Sequence, residues 1–281
     1  MRIVFRLLAV APLLLAVPAA HAEDQPKAKK RILLITESRG FVHDVVRRPS
    51  GWGALVHGHD CQVETAFKEL AEQTGQFEVV CSQDSHKEIT AENLARFDAV
   101  FFYTTGELPL SDEQKADLLA FVKKGGGFGG AHSATDTFYK WPDYGELIGG
   151  YFNGHPWHQK IRVLVEDKNN PATKHLGDTF EITDEIYQFK GPYSRDKLHI
   201  LLRMDVKSVD KAGARQDQDY ALAWEREYGK GRVFYTALGH RPEVWKDERF
   251  RKMLVGGLRY ITRLENADAT PTPLPKTGEG K

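Results

Sequence analysis

The folded part of the chain begins with short, nearly continuous apolar runs separated by longer polar stretches. Such runs occur at residues 31–36, 77–81, 98–103 and 127–132. Each run is too short for an ordinary helix, and apolar runs of this length are typical of strands buried on both faces of a parallel sheet. The pattern therefore predicts four parallel strands in the first half of the chain.

The segments between these runs carry the signals of helices. Residues 63–72 place apolar side chains at helical spacing. Ser111 suits a helix N-cap, and the following Asp112 and Glu113 suit the positive end of the helix dipole. The two lysines and the glycine at 123–125 suit the end of that helix. The resulting β-α-β-α-β order predicts a three-layer α/β/α sandwich with a mostly parallel central sheet, in which ligands bind beyond the carboxyl ends of the strands.

The second half of the chain carries a different pattern. Further strands are predicted at residues 161–166, 180–187, 199–204, 220–225 and 232–237. The turn residues Tyr-Gly-Lys-Gly at 228–231 lie between the last two and predict a hairpin, or a strand pair that completes the sheet. An amphipathic helix is predicted at residues 248–263.

The two ends of the chain are predicted to lie outside the fold. Arg2 and Arg6 precede an apolar run at residues 7–20 and the small-residue signal Ala-His-Ala at 20–22, which are the features of a secretory signal peptide. That run is too short for a membrane span, which needs roughly 20 apolar residues. The chain therefore divides into a signal peptide (1–22), a linker (23–29), one domain (30–263) and a disordered tail (264–281). The mature protein is expected to be periplasmic or extracellular.

Composition and charge narrow the class of partner. The apolar content of 41% is that of an ordinary globular protein, and 39 basic residues balance 39 acidic ones. A balanced charge gives no electrostatic basis for binding nucleic acid or an anionic membrane. The two cysteines, Cys61 and Cys81, leave pairing open and are too few for a disulfide framework.

Histidines at the predicted strand ends are the main candidates for chemistry. His43 lies in the first strand-to-helix loop, and His132 ends the Gly-rich fourth run. His155 and His240 follow glycines in turn-like segments. Histidine suits both proton transfer near neutral pH and the binding of transition metals. A single loop histidine is usually a plain surface residue, but four at one rim favour a site, because binding sites collect in such loops.

The glycines of GGGFGGAHSATD, residues 125–136, allow two interpretations. Glycine inside a strand often marks a close approach to the backbone, either by a ligand or by a tightly packed helix. Gly125, Gly127 and Gly130 match the GxGxxG spacing, but they precede a strand instead of following one. A phosphate-binding loop and a nucleotide cofactor are therefore not expected.

Taken together, these motifs resemble the ThuA-like (trehalose utilisation) family. The resemblance is carried by RILLITESRGFVHD, GGGFGGAHSATD, GGYFNGHPWHQ, TDEIYQF and GKGRVFYTALGHRPEVW, which spread over residues 31–263. It implies a class I glutamine amidotransferase-like (flavodoxin-like) fold. In such amidotransferases a cysteine flanked by glycines occupies the turn from strand to helix, and a later His-Pro-Glu motif supplies the base and its orienting carboxylate.

The resemblance also implies that the amidotransferase nucleophile is missing. His132 falls at the nucleophile position, and residues 240–243 stand roughly where the His-Pro-Glu motif would be. Because neither cysteine lies at the turn, thioester chemistry on glutamine is excluded. An exported amidase that uses Ser133 stays open, although its hydroxyl lies one position late for the G-x-S-x-G motif and would need His240 beside it.

Two kinds of catalytic site fit the remaining residues. In a metal site, His132, His155 and a carboxylate, that of Asp184 or of Glu185, would hold a divalent ion, with zinc as the first expectation. In metal-free acid–base catalysis, His132 or His240 would abstract a proton while Tyr187 or Glu185 held the substrate. The residues expected to contact the substrate are His43, Tyr103, Glu107, Asp136 and Tyr187.

The resemblance places the function in carbohydrate metabolism, with a sugar or keto-sugar derivative as the small-molecule partner. We expect an exported enzyme of hydrolase or lyase type that uses histidine acid–base chemistry, with or without a divalent metal. In an elimination, a ketone next to the abstracted C–H would stabilise the carbanion, so one base and one electrophile suffice. The alternative is a non-catalytic carbohydrate-binding protein in which Tyr103, Trp157 and Tyr187 stack on a sugar ring.

Overall fold

A nine-stranded sheet forms the centre of the protein in a computed structural model that describes residues 28–50 and 59–274. Its strands are β1 (Lys30–Ile35), β2 (Phe77–Ser82), β3 (Ala99–Phe102), β4 (Gly127–Ala131), β6 (Trp157–Val165), β7 (Thr179–Ile186), β9 (His199–Met204), β10 (Ala221–Tyr228) and β11 (Gly231–Thr236). They run in the order β2-β1-β3-β4-β11-β10-β9-β6-β7. A separate pair consists of β5 (Tyr151–Phe152) and β8 (Phe189–Lys190). The predicted signal peptide (1–22) and the first part of the linker lie outside the described residues.

The first half of the chain confirms the predicted α/β/α sandwich. Strands β2, β1, β3, β4 and β11 pair in parallel. The helices are α1 (Gln62–Thr74), α2 (Ser85–Glu88), α3 (Ala91–Leu94), α4 (Asp112–Lys123), α5 (Pro142–Ile148) and α6 (Glu248–Ile261). Phe67 of α1 packs on Phe101 on one face of β3, and Tyr144 of α5 stacks on Phe102 on the other. Helices therefore cover both faces of the parallel half.

Helix α4 begins where the sequence predicts. The Ser111 hydroxyl accepts a hydrogen bond from the N–H of Gln114, and the Gln114 side chain accepts one from the N–H of Ser111. This capping box satisfies two N–H groups that have no partner within the helix. The helix ends at Lys123, directly before the glycines that begin β4.

The glycines of β4 make room for tight packing. A Cβ on Gly127 would overlap the carbonyl oxygen of Ile261 in α6, and one on Gly129 would overlap the ring of Phe101. A Cβ on Gly130, on the other face, would press against Ala134. Of the two interpretations of this stretch, the close helix–sheet contact is confirmed, and it lets the strand lie directly under its helix.

The second half of the sheet is antiparallel. Strands β10 and β11 form the predicted hairpin, with Tyr228 paired to Gly231 across the turn. β9, β6 and β7 then add to the sheet through antiparallel pairs. The alternating burial of β6 and β7 agrees with strands that have one solvated face.

The segment after α6 is held against the sheet. The backbone N–H of Ile200 donates to the hydroxyl of Thr272, and the N–H of Thr272 donates to the carbonyl of Leu198. The guanidinium of Arg232 donates to the carbonyl of Glu265. Residues 264–274, the start of the predicted disordered tail, make these hydrogen bonds, and Ala267 and Ala269 pack against the core. Residues 275–281 lie outside the described part.

Cys61 and Cys81 are free thiols. Burial raises the pKa of each to about 12, so neither is a thiolate at neutral pH. Within residues 28–50 and 59–274, no helix combines the length and the apolar character needed to cross a membrane.

Candidate active site at the carboxyl edge of the sheet

Three histidines and one glutamate converge beyond the carboxyl ends of the parallel strands. His43 follows β1, His132 directly follows β4, His240 follows β11, and Glu185 belongs to β7. One ligand atom from each of these four side chains lies within 4.8 Å of every other. We call this group the His–Glu cluster. Its position is the one that the parallel sheet predicts for a ligand site.

His132 occupies a tight turn of the kind expected for a nucleophile. Its φ is +45°, in the left-handed region that non-glycine residues rarely adopt. The Tyr235 hydroxyl donates to the carbonyl of His132 at 2.7 Å and helps to hold this turn. The strained position is occupied by an imidazole, as the sequence resemblance implies.

The tautomer of His132 follows from its surroundings. Its Nδ1 lies 2.8 Å from the carbonyl oxygen of Ala237. A carbonyl oxygen can only accept, so Nδ1 carries a proton and Nε2 is the nitrogen that faces the cluster. A backbone partner of this kind is the usual way in which a metal-binding or catalytic histidine is oriented.

Three atoms at the centre of the cluster form a compact triangle. Nε2 of His132 lies 3.2 Å from Nδ1 of His240 and 3.4 Å from Oε2 of Glu185. Nδ1 of His240 lies 3.2 Å from the same oxygen. Ligands held 2.0–2.1 Å from a tetrahedral zinc ion would be about 3.3 Å apart. The sides of the triangle therefore match one face of a tetrahedral metal site.

Glu185 reaches this triangle because the antiparallel half of the sheet curves back. Five strand spacings of about 4.8 Å separate β4 from β7, or about 24 Å in a flat sheet. The observed 3.4 Å between Nε2 of His132 and Oε2 of Glu185 requires strong curvature. The same curvature brings Tyr187, which directly follows β7, to the site. The centroids of its ring and of the His132 ring are 4.1 Å apart.

Asp184 fixes the loop that carries His240. It is fully buried, and its carboxylate accepts hydrogen bonds from the backbone N–H groups of Gly239 at 2.7 Å and Arg241 at 3.0 Å. The carbonyl of Gly239 in turn accepts from the hydroxyl of Tyr103 at 3.0 Å. Both residues flanking His240 are thus tied down, which positions its imidazole.

His43 is the cluster histidine that burial holds in its neutral form. It is 3% exposed, and its Nδ1 has no hydrogen-bond partner in the described part of the chain. Burial, together with the nearby charges of His132 and His240, lowers the pKa of His43 to about 3. A neutral, buried, unpartnered imidazole nitrogen is suited to a metal ion, which needs the lone pair of the neutral ring.

The glutamate and His240 stabilise each other's charges. Burial opposes the ionisation of Glu185, but its hydrogen bonds with His132 and His240 outweigh burial and hold its pKa below the ordinary range. Burial likewise lowers the pKa of His240, yet the hydrogen bond to Glu185 and its charge leave that pKa raised. Glu185 therefore supplies the negative charge that two histidines or a cation require.

Two further histidines stand at the mouth of the site. Nδ1 of His155 lies 3.3 Å from Oε1 of Glu185, and Nδ1 of His158 lies 3.9 Å from it. Both side chains are half exposed, unlike the cluster histidines below them. Phe152 stacks beside His155 with ring centroids 5.8 Å apart. The Nε of Arg241 donates to Nε2 of His158 at 3.2 Å.

The structure brings together all three residues predicted as catalytic: His132, His240 and Glu185. Of the predicted metal ligands, His132 and the alternative carboxylate Glu185 belong to the cluster, whereas His155 and Asp184 do not. Asp184 directs its carboxylate to backbone N–H groups, since neighbours in a strand face opposite ways, and His155 lies at the mouth. Glu185 and His43 take their places.

The residues predicted to bind substrate have several different environments. His43 is in the cluster, and Tyr187 lies against His132. Tyr103 is fully buried and holds Gly239, whereas Glu107 accepts from the N–H of Lys140 and Asp136 from the hydroxyl of Tyr139.

Ser133 does not have the environment that an amidase would need. Its hydroxyl is buried and has no hydrogen-bond partner among the residues that the structure describes. His240 therefore does not activate it.

The residues present fit a metal ion. The donor set of three imidazoles and one carboxylate is typical of zinc and of other divalent transition metals. The backbone partner of His132, the unpartnered nitrogen of His43 and the tetrahedral spacing all agree with such a site. The His–Glu cluster can hold a metal ion, and nothing in the donor set selects zinc over similar metals.

Comparisons with known proteins agree with the sequence resemblance. The sequence profile of the ThuA family, described as trehalose utilisation, matches residues 50–261. A ThuA-like protein from Bacteroides uniformis is 23% identical, with a TM-score of 0.66 over 86% of this chain and 95% of that one. One from Parabacteroides merdae is 19% identical, with a TM-score of 0.62 over 89% and 94%. A comparison with curated proteins found no match.

Proposed function

Because the chain belongs to the ThuA family of trehalose utilisation, we propose that it is an enzyme that acts on a sugar or keto-sugar derivative at the His–Glu cluster with the aid of a divalent metal. The family supports a carbohydrate-related role. The observation that carries the proposal is the triangle of His132 Nε2, His240 Nδ1 and Glu185 Oε2, with sides of 3.2–3.4 Å. A divalent cation among these atoms would bind the lone pairs of the two nitrogens and the negative charge of the carboxylate oxygen together.

In this proposal His43, His132, Glu185 and His240 hold the ion. A divalent ion there would polarise a carbonyl or hydroxyl oxygen of the sugar and make a neighbouring C–H bond more acidic. Asp184 keeps the His240 loop in place, and Tyr187 covers one side of His132. His132 and His240, expected from the sequence to move protons, are thereby assigned to metal binding.

His155 is then the best candidate for the base. The guanidinium of Arg241 donates to Nε2 of His158, so that nitrogen is occupied. His155 instead directs Nδ1 towards the Glu185 carboxylate at 3.3 Å, which leaves Nε2 for the substrate. A carboxylate behind an imidazole fixes its tautomer and the orientation of its ring.

The reaction is a proton-transfer elimination with the following balance. Nε2 of His155 takes the proton from the carbon beside the ketone, and that electron pair forms a C=C bond. The C–O bond on the next carbon breaks with its electron pair going to the departing oxygen, and that oxygen takes the proton that His155 accepted, passed on directly or through water. Hydrolysis of the glycoside is the net result if water then adds to the double bond.

The proposal is tested by turnover of keto-glycosides with purified protein. We expect turnover that is lost on chelation and restored by added metal. His155→Gln should lower kcat roughly 100-fold or more, the usual contribution of a general base, without loss of metal. His86→Gln, an exposed histidine on α2, is the control and should match wild type.

Other outcomes of this assay would contradict the proposal. Sugar binding without turnover or metal would support a non-catalytic carbohydrate-binding protein instead. Turnover that survives chelation would leave metal-free acid–base catalysis by the same histidines.

The protein is further proposed to work outside the cytoplasm. Support comes from the basic start, the apolar run and the Ala-His-Ala signal in residues 1–22. N-terminal sequencing of the protein from the exported fraction should give a mature chain that starts at Glu23. A cytoplasmic protein that retains Met1 would contradict export.

A further inference from the structure

His155 stands on the short connection between β5 and β6, which we call the His155 segment (residues 153–156). The side chain of His155 is half exposed. Gly154 has a φ of +97°, which favours glycine, and Pro156 restricts His155 to extended backbone. These neighbours set the direction of the chain at His155. They do not tie the segment to the rest of the molecule, so its position depends on other contacts.

The backbone of Gln188 ties the His155 segment to the strand that carries Glu185. The pairing of β5 with β8 continues by one residue at Gln188. The N–H of Asn153 donates to the carbonyl of Gln188 at 2.8 Å, and the N–H of Gln188 donates to the carbonyl of Gly154 at 3.0 Å. Because Gln188 closely follows Glu185 in the chain, one short stretch holds both a cluster residue and the segment that carries His155.

The side chain of Gln188 adds a second tie. It is buried, and its Nε2 donates to the carbonyl of Asn153 at 3.0 Å. Its Oε1 accepts from the N–H of Ala214 at 2.9 Å. A backbone N–H can only donate and a carbonyl can only accept, so these two partners fix which end of the amide is which. Both ends of the buried amide are therefore engaged, one of them with the His155 segment.

The loop that carries Ala214 is itself anchored on both sides. The guanidinium of Arg215 donates to the carbonyl of Phe189 in β8 at 3.1 Å. The indole N–H of Trp157, the first residue of β6, donates to the carbonyl of Lys211 at 2.7 Å. These bonds hold the partner of the Gln188 oxygen in place, so the amide has a fixed support from which to hold Asn153.

We propose that Gln188 is a positioning residue for His155: its amide holds the carbonyl of Asn153 and thereby keeps Nδ1 of His155 at the Glu185 carboxylate. The inference rests on the proposed function, in which His155 is the base, and adds a residue that acts through the His155 segment. A misplacement of about 1 Å can cost on the order of 100-fold in rate. The four residues of the His–Glu cluster lie outside the segment, so metal binding should not depend on this amide.

Two substitutions separate the two hydrogen bonds of the amide. Gln188→Met keeps the size of the side chain and removes both bonds. Gln188→Glu, assayed at alkaline pH, keeps an acceptor for Ala214 but has no proton for Asn153. Both should lower kcat for keto-glycosides roughly 10- to 100-fold, the usual effect of losing a group that orients a site residue, with KM and metal content unchanged. Gln216→Met, at an exposed glutamine of the loop that carries Ala214, is the control and should match wild type.

Nitrogen-15 NMR of the His155 ring reports its position without any turnover. The resonances are assigned by their loss in His155→Gln and recorded at a pH above the titration of the ring. In wild type the proton should lie on Nδ1, which faces Glu185. In Gln188→Met the ring should change towards the tautomer mixture of a free histidine, in which the Nε2–H form predominates. A purely structural role of Gln188 would lower the unfolding temperature and leave these resonances unchanged.

Three results would overturn the proposal. A wild-type kcat in Gln188→Glu would show that the side chain serves only the loop that carries Ala214. An unchanged tautomer of His155 in Gln188→Met would show that the ring keeps its place without the amide, and loss of metal from either variant would show that Gln188 acts on the cluster.

Failure of the proposed function is seen separately, as absence of keto-glycoside turnover by wild type. The NMR comparison still decides in that case whether Gln188 positions His155. If Gln188→Met does not fold, Gln188→Glu serves for the same comparison.

Discussion

Asp184 and Glu185 are adjacent in β7, yet they serve the site in different ways. Successive side chains of a strand point to opposite sides, so only one of two neighbouring carboxylates can face the cluster. Glu185 faces the cluster, while Asp184 accepts hydrogen bonds from the backbone N–H groups of Gly239 and Arg241. Burial raises the pKa of Asp184, and the nearby His132 and these N–H donors oppose that rise.

Substitution of Asp184 tests its role as a positioning residue. Asp184→Asn keeps the shape but replaces one accepting oxygen with an N–H₂ group, which cannot accept from the backbone. We expect weaker metal binding, since loss of a hydrogen bond to a charged group costs about 1.5–3 kcal/mol. The measurement is metal affinity by competition with a chelator. A metal affinity equal to that of wild type would show that the His240 loop keeps its position without Asp184.

Among individual residues, the sequence predicted catalytic roles for three of the four members of the His–Glu cluster. His132, His240 and Glu185 stand out because they follow glycines or lie in a family motif. His43 was assigned to substrate binding, because nothing local shows that its Nδ1 is buried without a partner. The choice between Asp184 and Glu185 depends on which way β7 faces, and that is fixed by long-range packing.

Strand β10 carries a buried carboxylate, Glu225, that is not part of the His–Glu cluster. Glu225 is fully buried, with one oxygen bonded to the Asn170 side chain and the other without a partner among the residues described. Burial raises the pKa of Glu225 to about 8, although the bond from Asn170 opposes the rise. The side chain is therefore neutral in the folded protein at neutral pH.

This raised pKa predicts a pH dependence of stability. Between pH of about 4.5 and 8 the folded state keeps a proton that the unfolded chain releases, so this contribution is present at low pH and lost as pH rises. Glu225→Gln should gain stability relative to wild type by about 1.4 kcal/mol for each pH unit in that window. Urea unfolding at pH 5, 6, 7 and 8 measures it.

The matched control lies on the same strand. Glu227 is exposed, and Glu227→Gln should show no such trend. A difference between Glu225→Gln and wild type that stays constant across pH would contradict a protonated Glu225.

Among the helices and strands, those specified by local sequence signals were the most predictable. The apolar runs predicted the parallel strands. Ser111 predicted the start of α4, because the hydrogen bonds of a helix cap form within one turn. The hydrogen bonds of residues 264–274 were not predicted, since their partners Leu198 and Ile200 are distant in the chain. Polar composition alone does not reveal such partners.

At the scale of the whole molecule, the His–Glu cluster joins distant parts of the sheet. Its four side chains come from the segments after β1, β4 and β11 and from β7, so both the parallel and the antiparallel halves contribute. An ion bound only by the folded state stabilises it, by about 4 kcal/mol at 1,000 times its dissociation constant. The curvature that brings β7 to β4 was not predictable from any local pattern.

Metal content is the most direct test of the central claim that the His–Glu cluster holds a metal ion. It should be measured by elemental analysis of purified wild type, His132→Ala and the surface control His86→Ala, with thermal unfolding before and after chelation. The account predicts close to one divalent ion per chain in wild type and His86→Ala, loss of that ion in His132→Ala, and a lower unfolding temperature on chelation. Wild type that takes up no ion even when metal is supplied, or His132→Ala that retains a full equivalent, would contradict it.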